Sequence, residues 1–107
     1  MDIKDKIREL ILEGENVIQV SQQKGLYDIP YFAGEQYVKW INKCVYIMEQ
    51  NFKGSKWYEN FISASNNAVG SGKESYDVMI GVLKAISESD NIEILGKTPV
   101  EKKKSIY

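Results

Sequence analysis

The most regular alternation of apolar and polar positions runs over residues 35–52, EQYVKWINKCVYIMEQNF. At ~100° per residue, Tyr37, Trp40, Ile41, Cys44, Val45, Ile47, Met48 and Phe52 gather on one side of a helix, and Lys39, Asn42, Lys43, Tyr46, Glu49, Gln50 and Lys53 on the other. A stripe this wide cannot be covered by one neighbour. The segment is therefore predicted to be a central helix with at least two others packed against it.

Upstream, residues 2–23 carry Ile3, Ile7, Leu10, Ile11, Gly14, Val17, Ile18 and Ser21 at i, i+3, i+4, i+7 spacing, with Asp2 placed to cap the start. Gly14 falls inside the buried stripe, where glycine costs about 1 kcal/mol against alanine but lets another backbone come close. A helix crossing is expected there. Lys24 and Gly25 are expected to end the helix, glycine as a left-handed cap.

Residues 25–34, GLYDIPYFAG, form a connector unusually rich in apolar side chains. Two readings stand. Leu26, Tyr27, Ile29, Tyr31 and Phe32 fold back as a lid over the helix ends, or they form an exposed aromatic patch rimmed by Asp28 and Glu35, of the kind that anchors interfaces.

Beyond a turn at 51–56, in which Ser55 caps, a short helix over 56–67 is predicted from Trp57, Tyr58, Phe61 and Ile62, followed by a loop over 66–72. Ser71 and Glu74 have capping-box spacing and open a last long helix with Tyr76, Met79, Ile80, Leu83 and Ile86 on its buried face. Gly81 and Ala85 fall on a second flank. After Asp90 the pattern fades. Ile92, Ile94 and Leu95 are expected to pack as an extended end, and Thr98, Pro99 and Glu101 give a second helix-start signal just before a frayed basic tail at Lys102, Lys103 and Lys104. The expectation is an all-α fold: a compact up-down bundle of three long helices and one short one, one domain over 1–95 and a tail over 96–107.

Composition narrows the chemistry. The 107 residues carry a net charge of -1, which gives no field to steer nucleic acid or an anionic membrane. There is no run of eighteen apolar residues and no signal-peptide pattern, so a cytoplasmic location is expected. Histidine is absent and cysteine occurs once. That removes the commonest general base and metal ligand, so no cofactor, no metal and no enzymatic activity are expected. Arg8 is the only arginine, and with abundant Ile, Asn and Tyr the composition points to an AT-rich bacterial or phage genome.

Candidate motifs reduce further. NNAVGSGKES at 66–75 resembles part of a phosphate-binding loop, yet Asn67 and Glu74 stand where glycine and Ser/Thr are required, and no strand precedes it. Glu9, Glu13, Glu15, Glu49 and Glu59 interleave with lysines as solvated helix surface. Cys44 lies mid-stripe and reads as a small hydrophobe. Lys39, Lys43 and Lys53 share a face with Tyr46, but Glu35 and Glu49 interrupt them and no helix-turn-helix pattern appears. An aromatic isolated on a polar face, Tyr46 is either a surface residue or an anchor.

Three stretches, LILEGENV at 10–17, YVKWINKC at 37–44 and IGVLKAI at 80–86, resemble small helical modules at the N-termini of uncharacterised bacterial proteins, often ahead of a variable effector domain in prophage or defence settings. The resemblance covers most of residues 8–88 and rests on packing positions. It implies an interaction or sensing module without an active site. The leading expectation is a non-enzymatic protein-interaction or accessory module with a protein partner or a second copy, contacted through Tyr27, Tyr31, Phe32 and Tyr46. An immunity or inhibitor protein that occludes a toxin or enzyme comes second, and a nucleic-acid-binding regulator third. No membrane and no small-molecule substrate is expected.

Overall fold

The amphipathic segments form four helices in the computed structural model, which describes residues 2–89: α1 (Ile3–Val20), α2 (Glu35–Phe52), α3 (Lys56–Ser65) and α4 (Lys73–Glu88). Consecutive helices pack together and α1 also packs on α4, so the contacts close into a ring. The helical class expected from periodicity stands, with one small two-stranded sheet that periodicity did not announce. Strands β1 (Gln22–Lys24) and β2 (Pro30–Phe32) pair antiparallel between α1 and α2, with Gln22 opposite Phe32, Gln23 opposite Tyr31 and Lys24 opposite Pro30.

α1 opens where Asp2 accepts from the Lys4 N–H at 3.4 Å, and it buries Ile7, Leu10, Ile11 and Gly14. It ends at Val20, earlier than residue 23, and Gly25 does not cap it: its φ of -96° and ψ of -162° are extended. The reason lies in the ladder. The Ser21 carbonyl accepts from the Ala33 N–H at 3.1 Å, and the Gly25 N–H donates to the Ile29 carbonyl at 2.9 Å, so the backbone that would continue the helix pairs with the returning strand.

The core is organised on α2, which buries Tyr37, Trp40, Ile41, Cys44, Met48 and Phe52, with Val45 and Ile47 half-buried. α1 and α3 both pack on it. Trp40 is the hub: its indole N–H donates to the Leu10 carbonyl at 2.8 Å, and its ring stacks on Tyr37 at 6.3 Å and meets Tyr76 of α4 at 5.8 Å. Burying such a ring removes 150–250 Å² from water, worth on the order of 4–6 kcal/mol. Gly14 is where α1 crosses α2, and what comes close is this indole and not a second backbone. On either side of Gly14, Glu13 pairs with Lys43 of α2 at 2.9 Å and Glu15 with Lys84 of α4 at 3.3 Å. These two carboxylates therefore join helices as well as facing solvent.

Ser55 caps α3 by accepting from the Tyr58 N–H at 3.1 Å, Phe61 is buried, and Trp57 meets Phe52 edge-on at 5.8 Å. The capping box expected at the start of α4 is not formed. The N-cap is Gly72, and the Ser71 hydroxyl instead donates back to the carbonyls of Asn67 at 2.6 Å and Ala68 at 3.0 Å. Ser71 is recruited by the loop because its own backbone is held by β2, and the Glu74 carboxylate lies against Gly72 instead of reaching back to cap. Ala68, expected in a loop, is fully buried, and Val82 joins Tyr76, Met79, Ile80, Leu83 and Ile86 on the inner side of α4. Gly81 and Ala85 are exposed. The expectations for Ile92, Ile94 and Leu95, for the start signal at Thr98, Pro99 and Glu101, for the tail Lys102, Lys103 and Lys104 and for a domain end at 95 lie outside the described residues.

Candidate interaction surface

The connector 25–34 is the turn and second strand of the hairpin, and its conformation decides between lid and patch. The Ile29 N–H donates to the Leu26 carbonyl at 3.2 Å, and the two residues between them, Tyr27 and Asp28, have φ of 58° and 61°. Two successive positive φ values closing such a bond have the form of a type I′ turn, whose twist suits paired antiparallel strands. Aspartate tolerates this conformation. Tyrosine pays about 1–2 kcal/mol for it, since its Cβ crowds the following carbonyl.

The turn lifts the apolar side chains off the protein. Leu26 is 83% exposed, Tyr27 93% and Ile29 64%, and Val20 at the neighbouring end of α1 is 65% exposed. The base of the hairpin behaves oppositely. Phe32 is buried, edge-on to Tyr37 at 6.5 Å, and Tyr31 is half-buried with its ring alongside Gly25. Phe32 is thereby removed from the partner-binding candidates: strand alternation turns it into the core while its neighbour faces out.

Backbone contacts fasten this base. The Phe32 N–H donates to the Ser71 carbonyl at 2.9 Å, and the Phe32 carbonyl accepts from the Gly70 N–H at 2.7 Å. The hairpin is thus tied to the loop before α4, as well as to the two helices that it joins.

Tyr46 belongs to a second place. It is 61% exposed and walls an open groove of about 560 Å³ between α1 and α2, with Leu10 and Ile47 among the lining residues and Lys6, Glu9, Glu13, Lys39 and Lys43 around them. Tyr46 is eleven residues into α2, roughly 16 Å along the axis from the hairpin end. The structure therefore groups Tyr27 and Tyr31 on the hairpin and sets Tyr46 apart. Of the basic residues, Lys43 is paired with Glu13 at 2.9 Å and Lys6 with Glu9 at 3.8 Å, so the groove is not a bare cationic face.

Titratable groups in the interior are held neutral. Burial, and secondarily Glu13, pushes the Cys44 thiol well up, away from the thiolate that a nucleophile needs. Burial likewise raises Tyr37 and Tyr76 to about 12. Among the described residues there is no group of three or more His, Cys, Asp or Glu that could hold a metal ion, and no helix long and apolar enough to cross a membrane.

Val20 and the pairing of 22–24 with 30–32 were not legible in the sequence. The strands are three residues long, Gln22, Gln23 and Lys24 are all exposed, and the turn carries Tyr-Asp where Asn-Gly or Asp-Gly would have announced it. The available signals were Asp28, a residue at ease with positive φ, and Val20, which falls off the buried stripe of α1. No family model, curated protein or solved structure matches this chain.

Proposed function

We propose that this chain is a non-enzymatic protein-interaction module of the cytoplasm, an up-down bundle of three long helices and one short one, which presents the hairpin tip Leu26, Tyr27 and Ile29 to a protein partner. The observation that carries the reading is Tyr27. A large aromatic is held in a left-handed backbone conformation and left 93% exposed, so the fold accepts strain to display apolar surface that it does not use itself. Tyrosine in that setting suits an interface anchor, being large, stiff and amphipathic.

The test is affinity purification of the tagged chain from the organism that encodes it, beside Tyr27→Asn, Leu26→Ser and Tyr46→Ala variants of matched thermal stability. A partner held by the parent chain and lost from the two tip variants supports the hairpin. Loss on Tyr46→Ala alone moves the site to the groove and overturns the hairpin reading. A toxin or enzyme as the partner selects the immunity role. Binding to DNA at low salt that collapses at moderate salt would select the regulator, and no binding at low salt removes it.

A further inference from the structure

We infer that the free edge of β1 pairs with β1 of a second copy, antiparallel about a two-fold axis through Gln23, joining two hairpins into one four-stranded sheet. The inference rests on the protein-interaction reading and names a partner for it. Bonds from Ala33 to Ser21 and from Gly25 to Ile29 place the odd-numbered backbone groups inside the hairpin, so those of Gln22 and Lys24 on β1, and of Pro30 and Phe32 on β2, point outward.

The two outer edges differ. On β2, Phe32 is taken by Ser71 and Gly70, and Pro30 has no N–H to offer, so that edge is closed to a further strand. On β1, Gln22, Gln23 and Lys24 are all exposed, and no backbone bond among the described residues engages the outward groups of Gln22 or Lys24. A row of such groups is a template for another strand.

The template is short, and it is its own complement. With Gln23 opposite Gln23 of the other copy, Gln22 of each chain stands opposite Lys24 of the other, and each of these two pairs exchanges both N–H···O bonds. Lysine meets glutamine, so no like charges lie directly opposite. The same axis accounts for the exposed side chains at the ends. Val20 and Leu26 lie three residues either side of Gln23, 65% and 83% exposed, and the two-fold sets Leu26 of each copy toward Val20 of the other. Because the β2 edges are closed, the assembly stops at two chains, as an isologous contact should.

Gln23→Cys tests this in the full chain, since a residue on the axis faces itself at a separation that a disulfide can span. Under mild oxidation the Gln23→Cys chain is expected to become a covalent dimer, while Gln22→Cys, facing Lys24, and Gln36→Cys on the exposed side of α2 do so slowly; native Cys44 is buried and silent. Light scattering of the unmodified chain should show a concentration-dependent dimer that Leu26→Glu weakens by about tenfold or more at unchanged Tm. A strict monomer at high micromolar concentration overturns the inference, as does oxidation of Gln23→Cys no faster than Gln36→Cys, or a dimer indifferent to Leu26→Glu. A monomer that still captures a partner through the tip defeats only this inference. A cross-linked dimer with no partner lost on tip substitution defeats only the earlier reading.

Discussion

The indole of Trp40 occupies the space that a side chain on Gly14 would need: a Cβ there would lie 2.4 Å from Cζ2 and 2.7 Å from Cε2 of the ring. A fused ring, held by the bond from its N–H to Leu10, cannot swing aside as a flexible chain end could. Gly14→Ala is therefore expected to destabilise by about 1–3 kcal/mol, although alanine is the better helix former. Gly81 lies in a helix as well, but a Cβ there would meet nothing within 4 Å among the described residues, and Gly81→Ala should gain about 0.5–1 kcal/mol. Denaturant titration of both variants reads the two signs; a stabilised Gly14→Ala would show that the indole can yield.

Tyr37 is fully buried and its hydroxyl has no hydrogen-bond partner among the described residues. An unsatisfied buried hydroxyl costs about 1–3 kcal/mol, and the ring stacks on Trp40 with or without it. Tyr37→Phe should raise stability by about 1 kcal/mol, whereas a loss on thermal unfolding would point to a bonded hydroxyl.

Tyr37 and Tyr76 also set a response to alkali. Each is raised by burial from 10.0 to about 12 in the folded chain. Between those values the unfolded chain holds fewer protons than the folded one, so stability falls as pH rises. Their contribution is intact below pH 10 and gone above 12. Denaturation midpoints across that window should drop less steeply in a Tyr37→Phe, Tyr76→Phe double variant than in the parent.

At the tip, stability and display oppose one another. Asparagine adopts positive φ readily, so Tyr27→Asn should stabilise by about 1 kcal/mol while removing the exposed ring. At ~4–8 °C per kcal/mol for a domain of this size, calorimetry would resolve the gain. An unchanged or lowered Tm would mean that the turn is not strained by tyrosine.

Tyr46 stands 61% exposed with its ring toward the groove. Tyr46→Ala should change unfolding free energy by no more than about 0.5 kcal/mol, as for other surface positions away from special features. A larger loss would assign the ring a packing role against α1.

Periodicity was enough for the helices because each has one wide apolar stripe. Trp40, Cys44, Met48 and Phe52 lie buried where a 3.6-residue repeat put them, and Gly14 marked a close approach because a glycine inside a buried stripe needs a reason. What local pattern could not supply was anything decided by long-range pairing. Ser71 and Glu74 have the spacing of a capping box, but Ser71 is held by Phe32, distant in sequence, and its hydroxyl turns to Asn67 and Ala68. The hairpin escaped for the same cause. Gln22, Gln23 and Lys24 show no alternation, since all three face solvent, and Phe32 looked like one more side chain of an apolar connector until pairing fixed its side. Tyr27 and Tyr31 were legible as unusual, but which of them is displayed depends on a backbone turn that no composition rule encodes.

The tie between Phe32 and Ser71 also orders events in time. A two-stranded hairpin of this length does not persist alone in water, and this one borrows its second edge from residues that come into place only when the loop after α3 has closed onto the N-terminal half. The hairpin is therefore expected to set together with the docking of α4 and not before it. Until α4 has docked, Leu26, Tyr27 and Ile29 stand on a segment that lacks the backbone tie from Phe32 to Ser71 and Gly70. Hydrogen exchange at the Phe32 amide would report that step directly, with protection gained at the same rate as at the amides of α4.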